Sequence, residues 1–224
     1  MSEPAEDGSF PMVNIEDVPH VDKLYDLVGI VEDLKFAAEC FDRLGALLDQ
    51  PDDGQALWVE RQALFSAAAV AYSRCFGTGV RGKLETAALD RIPQAAPGEA
   101  RKIHKFICDM RDKHIAHSVS PFEAVMICGA VQPQDGQEEP LIGVGILTMQ
   151  GLPVGTEAAI VCRDLARNLV NDLHAEIEGV TSKVRESLKR EDPETFARRP
   201  TMNYVVPGLD QAGIPRRFGR GIAP

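Results

Sequence analysis

The chain of 224 residues has one tryptophan and three tyrosines, so platforms for stacking nucleic-acid bases are scarce. No two of its five cysteines (Cys40, Cys75, Cys108, Cys128, Cys162) are close in sequence, and their number is odd. That spacing excludes a disulfide scaffold and argues against a zinc site. The cysteines read as small apolar residues of a protein in the reducing cytoplasm. No stretch approaches the ~20 apolar residues of a membrane-spanning helix. The first twenty residues hold five acids and no Lys or Arg, the opposite of a secretory start. Positive charge is also in short supply, with 24 Lys and Arg against 34 Asp and Glu, a net charge of -10. A chain that repels phosphate overall is no general coat for nucleic acid, although a local basic patch is compatible with it. With 44% apolar and 26% charged residues, the composition is that of an ordinary globular domain, with neither collagen-like nor wholly disordered bias. The length fits one domain with decorations.

What is present is helical periodicity. Residues 1–20 form an acidic segment expected to lie loosely on the surface. From Val21 to about Asp49, apolar residues such as Leu27, Val31, Leu34, Phe41 and Leu44 recur every three or four positions. The turn signal Pro51-Asp52-Asp53-Gly54 ends this helix. A second helix is expected from about Gln55 to Phe76, its small residues Ala67–Ala71 admitting a close neighbour. A shorter one is expected over Arg81–Arg91, and another over Gly98–His117 with Ile103, Phe106, Ile107 and Met110 as its apolar face. The period then changes. Phe122–Val131 and Leu141–Met149 are apolar runs with β-branched residues around a polar Gln132–Pro140, which reads as an antiparallel hairpin. Gly143 and Gly145 share one side of its second strand, where close packing is expected. The last long helix starts near Thr156, a plausible N-cap, carries a stripe through Leu165, Leu169, Leu173 and Val180, and stops at Asp192-Pro193. Residues 193–224, rich in Arg, Pro and Gly, read as an extended tail. The predicted fold is mainly α: a four- to five-helix antiparallel bundle over residues 21–192, with a small hairpin inserted at about 122–149.

One helix end carries unusual chemistry. Arg111-Asp112-Lys113-His114-Ile115-Ala116-His117 closes a segment, 99–117, with five basic and three acidic side chains. On an α-helix the stripe Ile103–Ile107–Met110 runs on into His114 and His117. Arg111 follows Met110 by about 100°. Imidazoles at the end of an apolar stripe are expected in a cleft, and His is the side chain best suited to moving protons near neutral pH. The alternative reading is a satisfied interface His with Arg111 covering the helix end by its stem.

The run Arg-Asp-Lys-His-Ile-Ala-His resembles the motif of the HEPN superfamily: an Arg, four to six residues, then a His, at the end of a late helix of a helical bundle. Arg111 and His117 are separated by five residues, Asp112 fills the polar position after the Arg, and the run is similar to the Arg-Asn-Lys-x-x-Ala-His form of abortive-infection-type members. The resemblance implies a homodimer with two motifs facing one cleft and metal-independent RNA cleavage, in phage defence or a toxin system. It implies His117 as acid/base group, Arg111 as phosphate clamp, Asp112 as an orienting group and His114 as an assistant. Position 119 is Val, where some family toxins carry a Tyr modified by a partner enzyme, so that regulation is not implied. Many members of the superfamily are non-catalytic, and a helical dimerisation or protein-interaction module is the alternative.

Other signals are weaker. Gly77-Thr78-Gly79-Val80-Arg81-Gly82-Lys83 approximates a phosphate loop, but Leu84 stands where Ser or Thr is needed and a helix precedes it. The segment reads equally as a helix cap and turn. Arg74, Arg81 and Lys83, with Lys113, would help grip RNA if that loop lies near the motif. His114 and His117 as a metal pair lack a third ligand, so no metal or cofactor is expected. The Arg-rich tail is a candidate surface for RNA, for the acidic body of its own dimer, or for a protein partner; no membrane contact is expected.

Overall fold

The computed structural model describes residues 12–51, 57–79, 81–93, 96–117, 122–131, 141–202 and 208, without the side chains of 131, 141 and 142. The Gln132–Pro140 connection and most of the Arg-rich tail lie outside these residues.

The fold is a helical bundle with a two-stranded antiparallel hairpin. Helix α1 spans Val21–Leu48 and α2 spans Trp58–Arg74. Helix α3 covers Glu99–Met110 and continues as a π-helical turn over Arg111–Ala116. Strands β1 (Glu123–Val131) and β2 (Leu141–Gln150) follow. Helix α4 spans Thr156–Lys189, and a short α5 covers Pro193–Ala197.

Neighbours in the bundle run antiparallel, as short connections favour. Val18 and Val21, at the start of α1, cluster with Val184 near the end of α4, while Arg163 near the start of α4 reaches Asp42 near the end of α1. Arg61, early in α2, donates to the Leu47 carbonyl at the end of α1. Gln62 meets His114, and Tyr72 meets His104, so α2 and α3 also run in opposite directions. The apolar stripes converge on a core in which Leu34, Phe41, Phe65, Tyr72, Ile107, Leu169 and Leu173 are fully buried. Ala68, Ala69 and Ala71 let α2 approach closely.

Five expectations need correction. Arg81–Arg91 is not an α-helix: a 3₁₀ turn occupies Thr86–Asp90. The Leu84 N–H bonds the Cys75 carbonyl at 2.7 Å, and a side chain at Gly82 would lie 2.6 Å from Asp26 Oδ2. Both ties hold the segment against α1 and α2, and Gly is itself a poor helix former. The N-cap of α4 is Gly155, with Thr156 the first helical residue. The tail's start is not extended either. Pro193 opens α5, and Asp192 caps it by accepting from the Thr195 N–H at 3.0 Å, the arrangement that favours Asp then Pro at a helix start. Arg199 then donates to the carboxylates of Asp17 and Glu191 and to the Asn14 carbonyl, and Val13 bridges Thr201. Residues 12–20 are therefore fastened to the bundle, not loose. Finally, Cys128 is exposed rather than a core residue, whereas Cys40, Cys75 and Cys162 are buried. Burial pushes the Cys75 and Cys162 thiols up to about 12, leaving them inert at neutral pH.

Candidate functional site

The motif sits where α3 changes its hydrogen bonding. A π-helix bonds i to i+5, and single π turns recur at functional sites. Its consequence here is a changed face. An unbroken α-helix would align His117 under Met110 and His114. The structure buries Met110 and His114 but exposes His117, and leaves Arg111 half-exposed. The expectation of two imidazoles in one cleft is thus replaced by one buried and one open to solvent.

His114 is 4% exposed. Gln62 on α2 donates from Nε2 to His114 Nε2 at 3.0 Å. An accepting Nε2 puts the proton of the neutral ring on Nδ1. Nδ1 has no hydrogen-bond partner and faces Glu123 Oε1, on the first residue of β1, at 3.8 Å. The Phe122 ring lies edge-on, its centroid 6.5 Å from that of His114. His114 therefore joins α2, the π turn and the hairpin base. Sequence reading misses Gln62 and Glu123. Glu123 did carry a signal, as the one acid at the start of an otherwise uncharged apolar run.

On the outer side, Arg111 is ion-paired to Asp112 at 2.8 Å, which orients the guanidinium while leaving it partly accessible. Lys113 reaches Asp109 at 3.9 Å and is exposed. Arg111, Lys113 and His117 are thus all at least partly open to solvent, the two cations each beside a carboxylate of the same helix end. Among the described residues no hydrogen bond or ion pair joins Arg111 to His117.

The third histidine of α3 belongs to a separate group. Tyr72 is fully buried, and its hydroxyl lies 3.2 Å from His104 Nδ1. Phe76 packs edge-on against the ring at 4.4 Å between centroids. Burial, then the neighbouring Arg101, lowers the His104 pKa, and burial raises that of Tyr72 well above the usual phenol value. The phenol and the imidazole thus share one hydrogen bond inside an aromatic cluster.

The basic residues near the Gly-rich turn lie elsewhere. Arg74 and Arg81 both pair with Asp33 of α1, and Lys83 is exposed. Arg74 closes α2, whereas Gln62, which marks the motif, is twelve residues earlier, a rise of about 18 Å along the helix. The structure does not bring these groups to the motif. No strand precedes the Gly-rich turn; α2 does.

Among the described residues no three His, Cys, Asp or Glu side chains converge as a metal site, and no helix is long and apolar enough to cross a membrane. Compared with known families, characterised proteins and solved structures, the chain finds no match, so a functional reading has to be built from its own residues.

Proposed function

We propose that the chain is a HEPN-type, metal-independent endoribonuclease, acting in the cytoplasm as a homodimer, with phage defence or a toxin system as its setting. The observation that carries the reading is the Arg-x5-His run in a π-helical turn, with Arg111 held by Asp112 and His117 open to solvent. RNA supplies its own nucleophile. His117 takes the 2′-OH proton as O2′ bonds to phosphorus, the P–O5′ bond breaks, and the departing oxygen receives a proton from a second imidazole or water. Arg111 holds the charge on the non-bridging oxygens, with Lys113 beside it. His114, being buried, acts by fixing the turn and not by touching RNA. With few aromatic residues on offer, the grip is phosphate-based and weakly sequence-specific.

The test is cleavage of a mixed RNA pool in EDTA by the full chain, with His117→Ala and Arg111→Ala as controls. Loss of cleavage in both variants, with the fold intact, supports the enzyme. Absence of cleavage by the wild-type chain favours the second reading, a non-catalytic interaction module, for which the exposed apolar hairpin is the specific observation.

A further inference from the structure

The hairpin is an arm held at its base. Its register pairs Val125 with Thr148 and Ile127 with Ile146 on one face, where Val125, Ile127 and Ile146 are 69–74% exposed. No helix packs along either strand. The close packing expected at the strand glycines is local: a side chain at Gly145 would meet Cys128 Sγ at 3.1 Å, and one at Gly143 would meet nothing within 4 Å. The fastenings lie where the two strands join the bundle. The Gly151 N–H bonds the Phe122 carbonyl at 2.8 Å, and Val154 enters the core with Leu152 packed against it. Phe122 and Glu123 meet His114 of the π turn.

The contact with His114 is half made. The ring is buried, and its Nδ1 has no hydrogen-bond partner. Glu123 Oε1 stands 3.8 Å from it, within ion-pair distance but too far for a hydrogen bond. The Glu123 side chain is 31% exposed, so its carboxylate has room to close the remaining gap of about 1 Å. Gln62, on the far side of the ring, has its Oε1 buried without a partner. A neutral imidazole carries one N–H, and with Gln62 donating to Nε2 that N–H is on Nδ1. A second proton makes both nitrogens donors. The new Nε2–H needs an acceptor, and the Gln62 amide supplies one by turning over to present Oε1. The amide keeps one unpaired atom in either orientation. The ring gains, because its bond to Glu123 becomes charge-assisted, shorter and about twice as strong.

We propose that His114 is a pH-operated latch: on taking up a proton, its imidazolium draws Glu123 in and clamps the base of the hairpin to the π turn. The surroundings of the ring assign this part to Glu123. From α2 the ring meets the uncharged Gln62, and from the hairpin it meets the Phe122 ring and Glu123. On its own turn Arg111 is paired with Asp112 and Lys113 leans to Asp109, while His117 is exposed. Among the described residues Glu123 is thus the one charged side chain within ion-pair distance of the His114 ring. The direction follows from linkage. Glu123 interacts more strongly with the charged ring than with the neutral one, so the clamped arm is favoured as pH falls through the histidine range, for as long as Glu123 stays ionised. His104 works in the opposite sense, because burial disfavours its charged form. A tightening of the hairpin base at lower pH is therefore not a by-product of His104. The inference does not rest on the nuclease reading, and its readouts are a ring nitrogen and a backbone amide, not cleavage.

The experiment is an NMR titration of the full chain from pH 8 to pH 5, with the imidazole nitrogens and backbone amides labelled. The His114 nitrogens are expected to change from one bare and one protonated to two protonated. Over the same range the exchange protection of the Gly151 amide, corrected for intrinsic rate, should rise about fivefold, equivalent to ~1 kcal/mol. Glu123→Gln keeps the shape and removes the charge, and its Gly151 protection should be flat with pH. Should that variant lose the fold by circular dichroism, His114→Gln still offers Gln62 an amide partner and cannot take the proton; it too should be flat. A His114 ring that gains no second proton overturns the proposal. So does protonation without a rise at Gly151, or a rise that persists in either folded variant.

Discussion

His114 and His117 are three residues apart in sequence yet should respond oppositely to the same substitution. His114→Ala removes a ring that is 4% exposed and takes away the partner of Gln62 Nε2. The Gln62 Oε1 is already buried without a partner, so the truncation leaves a wholly unpaired buried amide. An orphaned buried donor costs about 1–3 kcal/mol, and the space left by the imidazole adds roughly 1 kcal/mol, for an expected loss near ~3 kcal/mol. For a chain of this size each kcal/mol moves Tm by about 2–4 °C, so His114→Ala should melt ~6–12 °C lower. His117 is exposed, and His117→Ala should stay within ~0.5 kcal/mol of wild type while abolishing RNA cleavage. The assay is urea and thermal unfolding by circular dichroism, with the cleavage assay on the same samples. Gln62→Leu/His114→Leu sharpens it. Replacing both members by apolar groups should recover most of the loss, because neither polar group is left unpaired. His114→Ala as stable as wild type would refute the assigned geometry, as would a double Leu variant no better than His114→Ala. An equally large loss of stability in His117→Ala would return His117 to the core and remove it from the proposed chemistry.

The remaining predictions concern the frame. Gly82→Ala should cost about 1–2 kcal/mol in urea unfolding, because the new Cβ falls 2.6 Å from Asp26 Oδ2 and something must shift; Gly79→Ala, with nothing within 4 Å, should be near neutral. Tyr72→Phe should cost about 1–2 kcal/mol by removing the bond to His104. Because burial holds the folded His104 pKa below its usual value, the unfolded chain binds the proton first as pH falls. Stability should therefore decline from about pH 6.5 downward until the folded value is passed, and His104→Asn should flatten that slope. Arg199→Ala should open the clasp of residues 12–20 on 193–202, with amide exchange at Asn14 and Met202 faster by ~30-fold, corresponding to about 2 kcal/mol of charge-assisted bonds. Arg199 also holds the Asp17 carboxyl below its usual range, so in the wild type the clasp's contribution is full above that range and lost as pH falls from it through the lowered value.

The parts of this fold that were legible in the sequence are those with a period. The stripes of α1 and α4 recur at three and four because each faces one continuous core, and their ends fall within a few residues of Asp49 and Thr156. The hairpin was legible from its change of period, to within a residue at either end. What the period does not encode is who covers an apolar face. Ile127 and Ile146 belong to apolar runs that read as strands, yet they are 74% and 69% exposed. Nor does it encode backbone register. Met110 and His114 are four apart and share a face in any helical reading, so the π turn stays invisible until His117, which it carries out of the stripe to the surface. The partners that define the site come from distant elements: Gln62 lies 52 residues from His114, and Arg199 lies 182 from Asp17. Single polar residues in otherwise ordinary helices and tails have no pattern to announce them. Glu123 is the instructive case. A lone acid opening an uncharged strand has to meet something, because a carboxylate at a ribbon's base is worth its desolvation only beside a donor. The nearest such group is the buried His114 Nδ1, 3.8 Å from Glu123 Oε1 and without a hydrogen-bond partner of its own, so the start of the hairpin and the motif meet at this pair.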